Sequence, residues 1–189
     1  MPTSPVRADR TSSFAVAQGF QEFLETVTEN EPLWNALARR ATVPAELVDR
    51  VRAVPGSWHL LVLLEDWCGD AVNTVPILAR LAELSPNLSM KVLRRDEHPA
   101  LMDAHLTKGK RAIPVVMVLD QYFREVGWWG PRPRELQDWA ASLGVALAKP
   151  DRYREIRRWY ARDRGRATVD EVVDFVCGAA GRPEGCRAA

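Results

Sequence analysis

One thiol in this chain stands where a thiol can act. Cys68 lies in Trp67-Cys68-Gly69-Asp70, directly after the apolar run 58–65 and directly before the helical pattern 71–84. A cysteine at a helix start faces backbone N–H groups that lack intrahelical partners and the positive end of the helix dipole, and both favour thiolate. Such positions bring a thiol from about 8.5 into a range of roughly 3.5 to 7.5. Asp70 acts in the opposite sense, because its carboxylate competes in the first turn for the same donors. The expectation is a moderately depressed Cys68 pKa and a nucleophile suited to thiol–disulfide exchange, with Asp70 placed to relay a proton to the leaving thiol.

The other candidates read more quietly. Cys177 falls within the apolar pattern of Val172, Val173, Phe175 and Val176 and is expected to be a small buried hydrophobe. Cys186, beside Arg187, is expected to be an exposed, mobile spectator. Three cysteines so scattered suggest neither a disulfide framework nor a metal site, and an odd count fits a reducing compartment. His98 and His105 show no partner in the sequence and are expected at the surface or in helix packing; His59 reads as a satisfied strand histidine. Lys108, Lys110 and Arg111 read as a solvated loop.

To act, the thiol needs a strand behind it and a helix ahead of it, and hydrophobic periodicity supplies both. Residues 58–65 form the near-continuous apolar run of a strand buried on both faces, while Val72, Val75, Leu78, Leu81 and Leu84 recur at helical spacing. Further strands are predicted over 88–93, 113–119 and 122–128, and helices over 99–106 and 133–143. Asp120-Gln121 makes the last two strands a hairpin. The order β-α-β-α-β-β-α implies a mixed sheet covered by helices on both faces. Ahead of it, one helical pattern spans 14–27, a second carries Leu33, Trp34 and Leu37, and a third runs from Pro44 to Pro55-Gly56.

Beyond Lys149-Pro150, a helix over 151–164 carries Tyr153, Ile156, Trp159 and Tyr160 in a stripe among arginines. Docking of the stripe, with the arginines solvated or paired to acids such as Asp170 and Glu171, is favoured over RNA binding. Trp128 and Trp129 read as a strand end packed against helices. A last helix, 168–177, opens with Thr168 and Glu171 at capping-box spacing and ends at Gly178. Residues 1–13 and the chain from Gly181 read as loose tails. The expected organisation is a tail, 1–13; a main domain, 14–147; and a C-terminal helical extension, 148–189.

These features together resemble the thioredoxin superfamily. Trp67-Cys68-Gly69-Asp70-Ala71 is similar to its Trp-Cys-Gly-Pro-Cys, and Pro76-Ile77-Leu78 stands where those proteins have the proline that kinks the active-site helix. A helix-interior proline costs about 3 kcal/mol, so the match is informative. Arg111-Ala112-Ile113-Pro114 resembles the loop whose cis-proline faces the cysteine, and Val126-Gly127 the end of the last strand. The resemblance covers roughly 56–145 and implies a thioredoxin-like α/β/α sandwich with a mixed central sheet, extra N-terminal helices and a C-terminal helical extension. It implies substrate contacts by Trp67, Gly69, Ile113 and Pro114, and binding of a thiol cofactor's carboxylates by Lys110 and Arg111. Two departures matter. The resolving cysteine is Ala71 here, and the buried acid six residues before the nucleophile is Val62, so a Cys-x-x-Cys disulfide cannot close. The mixed disulfide must then be resolved by glutathione, another small thiol, a partner protein or a distant cysteine, for which Cys177 and Cys186 are the internal candidates.

Composition sets outer limits. The chain has 189 residues, formal net charge +1, and 47% hydrophobic against 27% charged residues, which excludes collagen-like, mucin-like and wholly disordered chains. No apolar run reaches the 18 to 20 residues a membrane span requires, and no signal-peptide core follows Arg7 and Arg10, so a cytoplasmic protein is expected. Near-neutral charge gives no reason to expect nucleic acid as a partner. The first functional reading is a monothiol thiol–disulfide oxidoreductase acting through Cys68 on protein or small disulfides, with no tightly bound cofactor, no metal, and glutathione or another low-molecular-weight thiol as co-substrate. The alternatives are a non-catalytic interaction module that kept the fold, and iron–sulfur coordination by Cys68 with glutathione. Oligomeric state is not readable from these residues.

Overall fold

Four strands make the sheet: β1 (Trp58–Leu64), β2 (Leu88–Arg94), β3 (Val115–Leu119) and β4 (Glu125–Trp129). The structure, a computed structural model, describes residues 8–186. The spatial order is β2-β1-β3-β4, with β1 parallel to β2 and antiparallel to β3, and β3 antiparallel to β4. Val62 lies at the centre, opposite Val92 on one side and Val116 on the other. Every residue of β3, and every residue of β1 except His59, is buried. Cover on both faces is why these strands are apolar throughout rather than alternating.

Nine α-helices are formed among the described residues: α1 (Thr11–Val16), α2 (Phe20–Glu25), α3 (Glu31–Arg40), α4 (Ala45–Arg52), α5 (Gly69–Leu84), α6 (Pro99–Asp103), α7 (Arg134–Ala141), α8 (Lys149–Asp163) and α9 (Arg166–Ala179). None is long and apolar enough to cross a membrane. The main core joins the sheet to α5 and α9, with Phe23 and Trp34 buried beside it. A second, smaller cluster, Leu136, Ile156, Trp159 and Tyr160, docks α8 against α7. Two arginines of α8 pair on their own helix, Arg154 with Asp151 and Arg158 with Glu155. Asp170 instead binds the buried Arg50 of α4, together with Asp174.

Several boundaries differ from the sequence expectation. Structure begins before residue 14: Asp9 binds the N–H and hydroxyl of Thr11 and starts α1, while residues 1–7 of the expected tail lie outside those described. The pattern over 14–27 is two helices, because Gln18 between them exchanges both backbone hydrogen bonds with Val92 of β2. The strand expected from 122 starts at Glu125, since the Asp120 carboxylate accepts the N–H groups of Tyr122 and Arg124 and turns the chain first. Thr168 caps nothing. It is buried inside α9, whose N-cap is Gly165 at φ 81, and Glu171 accepts the Trp129 indole N–H and the Arg134 N–H.

The C-terminal expectation is also overturned. Cys186 is buried, not exposed, and forms a disulfide with Cys177 across nine residues. A short 3-10 turn, Glu184–Cys186, carries it back to α4, and Arg182 N–H bonds the Cys177 carbonyl. Sequence spacing gave no sign that this turn folds back. Residues 187–189 of the expected loose tail lie outside those described.

Candidate active site

The loop from β1 to α5 is fixed from below before it presents its cysteine. Asp66 is buried; its carboxylate accepts the N–H groups of Thr28 and Glu29, and its carbonyl accepts the Trp34 indole N–H at 2.9 Å. Glu65 accepts the Asp96 N–H, and Arg94 lies between both acids. Burial opposes the Asp66 charge, yet these donors and Arg94 hold its carboxyl below the usual carboxylate range. The N-terminal helices thus serve to clamp the loop, a role that the spacing of Glu65 and Asp66 did not reveal.

Cys68 is the N-cap of α5. Its Sγ accepts the Ala71 N–H at 3.5 Å and donates to the Ile113 carbonyl at 3.4 Å. The Ile113–Pro114 bond is cis, and the Ile113 carbonyl faces the thiol. Pro76 sits inside α5, fully within its buried face. In this setting the expected depression of the Cys68 pKa is reversed. Burial pushes the thiol up to about 11, and the Asp70 charge adds to the rise; the Ala71 N–H and the Arg132 guanidinium pull down but do not compensate. A thiol that donates to a carbonyl is the neutral form, in keeping with the raised pKa.

Asp70 does not compete for the helix donors. Its carboxylate is held by Arg132, at 2.8 Å from Nε and 2.6 Å from Nη2, and by the Tyr160 hydroxyl at 3.0 Å. Burial and then the Asp70 charge raise the Tyr160 phenol. Arg132 follows a second cis bond, Gly130–Pro131. Gly130 has φ +133, and a Cβ there would strike the Pro114 carbonyl oxygen, so only glycine lets the two proline loops touch. The sequence pattern marks Tyr160 for packing alone, and the setting of Arg132 between Pro131 and Pro133 is the local signal that points to the site.

Above the thiol lies a cavity of about 590 Å³. Cys68, Gly69, Asp70, Ile113 and the rim residue Trp67, which carries the Arg95 guanidinium over its ring, all line it. Arg111 lines it too, paired with Asp103 at 2.6 Å. Lys110 does not reach its wall; with Thr107 it closes an exposed bridge. Pro114 stands behind the wall, against Gly130. The opposite wall is α8, through Lys149, Tyr153, Ile156 and Arg157, none of them foreseen at the site. Gly127 of β4 lies elsewhere, packed against Phe175. Two of the histidines are structural. His105 is buried between the Leu101 carbonyl and Glu125, and His59 bonds Ser89 and stacks on Phe123.

A mixed four-stranded sheet whose central strand feeds a helix capped by a single cysteine, with a cis X-Pro bond facing it, is a thioredoxin-like arrangement. A thioredoxin family profile matches residues 17–149, and the chain belongs to that family. Two solved structures share the fold: a protein of unknown function from Pseudomonas aeruginosa, 21% identical over 91% of this chain and 99% of that one with a TM-score of 0.73, and an HIV epitope-scaffold, 20% identical over 90% and 99% with a TM-score of 0.72. No curated protein matches the chain. Helices α8 and α9 extend past the matched region.

Proposed function

We propose that the protein is a monothiol thiol–disulfide exchange protein working through Cys68. The observation that carries this reading is the Sγ at the N-cap of α5, facing the Ile113 carbonyl at 3.4 Å on the wall of an open cavity. Loss of the Cys68 proton to solvent gives the thiolate, which attacks one sulfur of a bound disulfide RS–SR. The S–S bond breaks, Cys68–S–SR forms, and RS⁻ leaves with the electron pair and takes up a proton. Ala71, buried against the thiol, cannot resolve the adduct, so a second, external thiol attacks the R sulfur and returns Cys68–SH. Cys177 and Cys186, bonded to each other, are not available to this step. The Ile113 carbonyl and the α5 N–H groups orient the reacting sulfur; Arg132 offsets the negative charge of Asp70 and favours thiolate.

One observation favours a second reading. A thiol held at about 11 is a weak nucleophile at neutral pH, which suits a fold kept for binding. Incubation with hydroxyethyl disulfide followed by intact-mass measurement separates the two. The exchange reading expects one reducible adduct, absent in Cys68→Ser and formed faster as pH rises. No adduct at pH 9 over hours would leave the binding module as the better account.

A further inference from the structure

We infer that the thiol exchanged at Cys68 belongs to a small anionic molecule, carrying carboxylate or phosphate groups, that α8 recognises through Lys149 and Arg157. This rests on the exchange reading above and names its substrate class. The cavity over Cys68 receives five cationic side chains, Arg95, Arg111 and Arg132 from three separate segments and Lys149 and Arg157 from α8, and one acid, Asp70. Three of the cations are already matched: Arg95 by Asp96, Arg111 by Asp103 and Arg132 by Asp70. Lys149 and Arg157 have no acidic partner among the described residues; Lys149 only lies over the Tyr153 ring. A neutral or cationic disulfide would leave these two charges unanswered, whereas an anionic one supplies their partners.

The shape of the site supports a small ligand with length. A second cavity, about 680 Å³, adjoins the first through Leu33, Asn73 and Arg157 and runs between α3, α5 and α8. Its walls alternate apolar surface, such as Leu37, Pro76 and Ile77, with Arg40 and Arg164. Arg157 stands at the junction. A ligand whose sulfur reaches Cys68 can therefore set an anionic group against α8 while its body follows the groove. Because α8 is anchored by Ile156, Trp159 and Tyr160 rather than by its charges, Lys149 and Arg157 are spare to the fold and open to this use.

The test compares rates of adduct formation on Cys68 with three disulfides at low salt: glutathione disulfide for carboxylates, coenzyme A disulfide for phosphates, and neutral hydroxyethyl disulfide. The expected result is a ratio of anionic to neutral rate constants that falls about tenfold in the double variant Lys149→Gln/Arg157→Gln and falls likewise on adding salt. The faster of the two anionic probes assigns the anion. Arg158→Gln, on the outer face of α8 and paired with Glu155, controls for loss of helix charge and keeps the wild-type ratio. Equal ratios in wild type and double variant overturn the inference while leaving exchange intact. Absence of any Cys68 adduct with all three overturns exchange itself and this inference with it.

Discussion

Replacing Asp70 by Asn removes a negative charge beside the thiol and keeps an oxygen to accept from Arg132 and Tyr160. In the native protein Cys68 is held at about 11 by burial first and by the Asp70 charge among the lesser causes. At pH 8 only about one molecule in a thousand then carries thiolate, since each pH unit below the pKa costs a factor of ten. A neighbouring charge moves a pKa by about one to three units, and pairing of Asp70 with Arg132 and Tyr160 places its removal at the low end. One unit gives about ten times more thiolate at pH 8. The new thiolate is also less basic, and with a Brønsted slope of about 0.4 to 0.5 each is about threefold less nucleophilic. The net expectation is a rise of about three- to fourfold in iodoacetamide alkylation of Cys68 at pH 8. The sign in pH follows from the same values: log rate climbs with unit slope from pH 7, levelling near 11 in wild type and near 10 in the variant. Peptide mass spectrometry reads both curves. A wild-type plateau below about 8.5, or a slower Asp70→Asn protein, would refute the argument that burial and Asp70 together hold the thiol neutral.

Two further outcomes follow from the packing. Gly130→Ala should destabilise the fold by about 3 kcal/mol in urea unfolding, because its Cβ meets the Pro114 carbonyl and its backbone disfavours a side chain; a change below about 0.5 kcal/mol would mean that the two proline loops are not in contact. Cys186→Ser should lower stability by about 2–3 kcal/mol, the loop-closure value for a crosslink over nine residues, and leave the hydroxyethyl adduct on Cys68 unchanged. A large loss of that adduct would show that the C-terminal disulfide reaches the site.

What the sequence discloses and what it hides divide along the range of the interactions. The buried runs of β1 and β3 need no partner to be recognised, because strands covered on both faces must be apolar. The placing of Cys68 at a helix start is likewise local, settled by an apolar run ending at Leu64 and a helical period beginning near Ala71. The errors arise where distant groups decide. Asp120 claims the N–H groups that would have lengthened β4. Gln18 finds Val92 and splits a helix that its own period would continue. Cys186 finds Cys177 through a turn with no periodic signature.

The charge state of Cys68 is the most instructive of these cases. Helix-start reasoning predicts a lowered pKa, and the groups it relies on are present: the Ala71 and Asp70 N–H groups favour thiolate, and the Arg132 guanidinium adds to them. They lose to desolvation, which no stretch near residue 68 encodes. It is imposed by what packs over the loop, and the charge of Asp70, a carboxylate tied down by residues 62 and 90 positions away, adds to it. Across the cavity from the thiol, α8 carries the unmatched cations Lys149 and Arg157. Reactivity at Cys68 is therefore set by groups from several elements, and α8 reaches it through Tyr160, which holds the Asp70 carboxylate, so a substitution on α8 can alter the chemistry of a thiol that it does not touch.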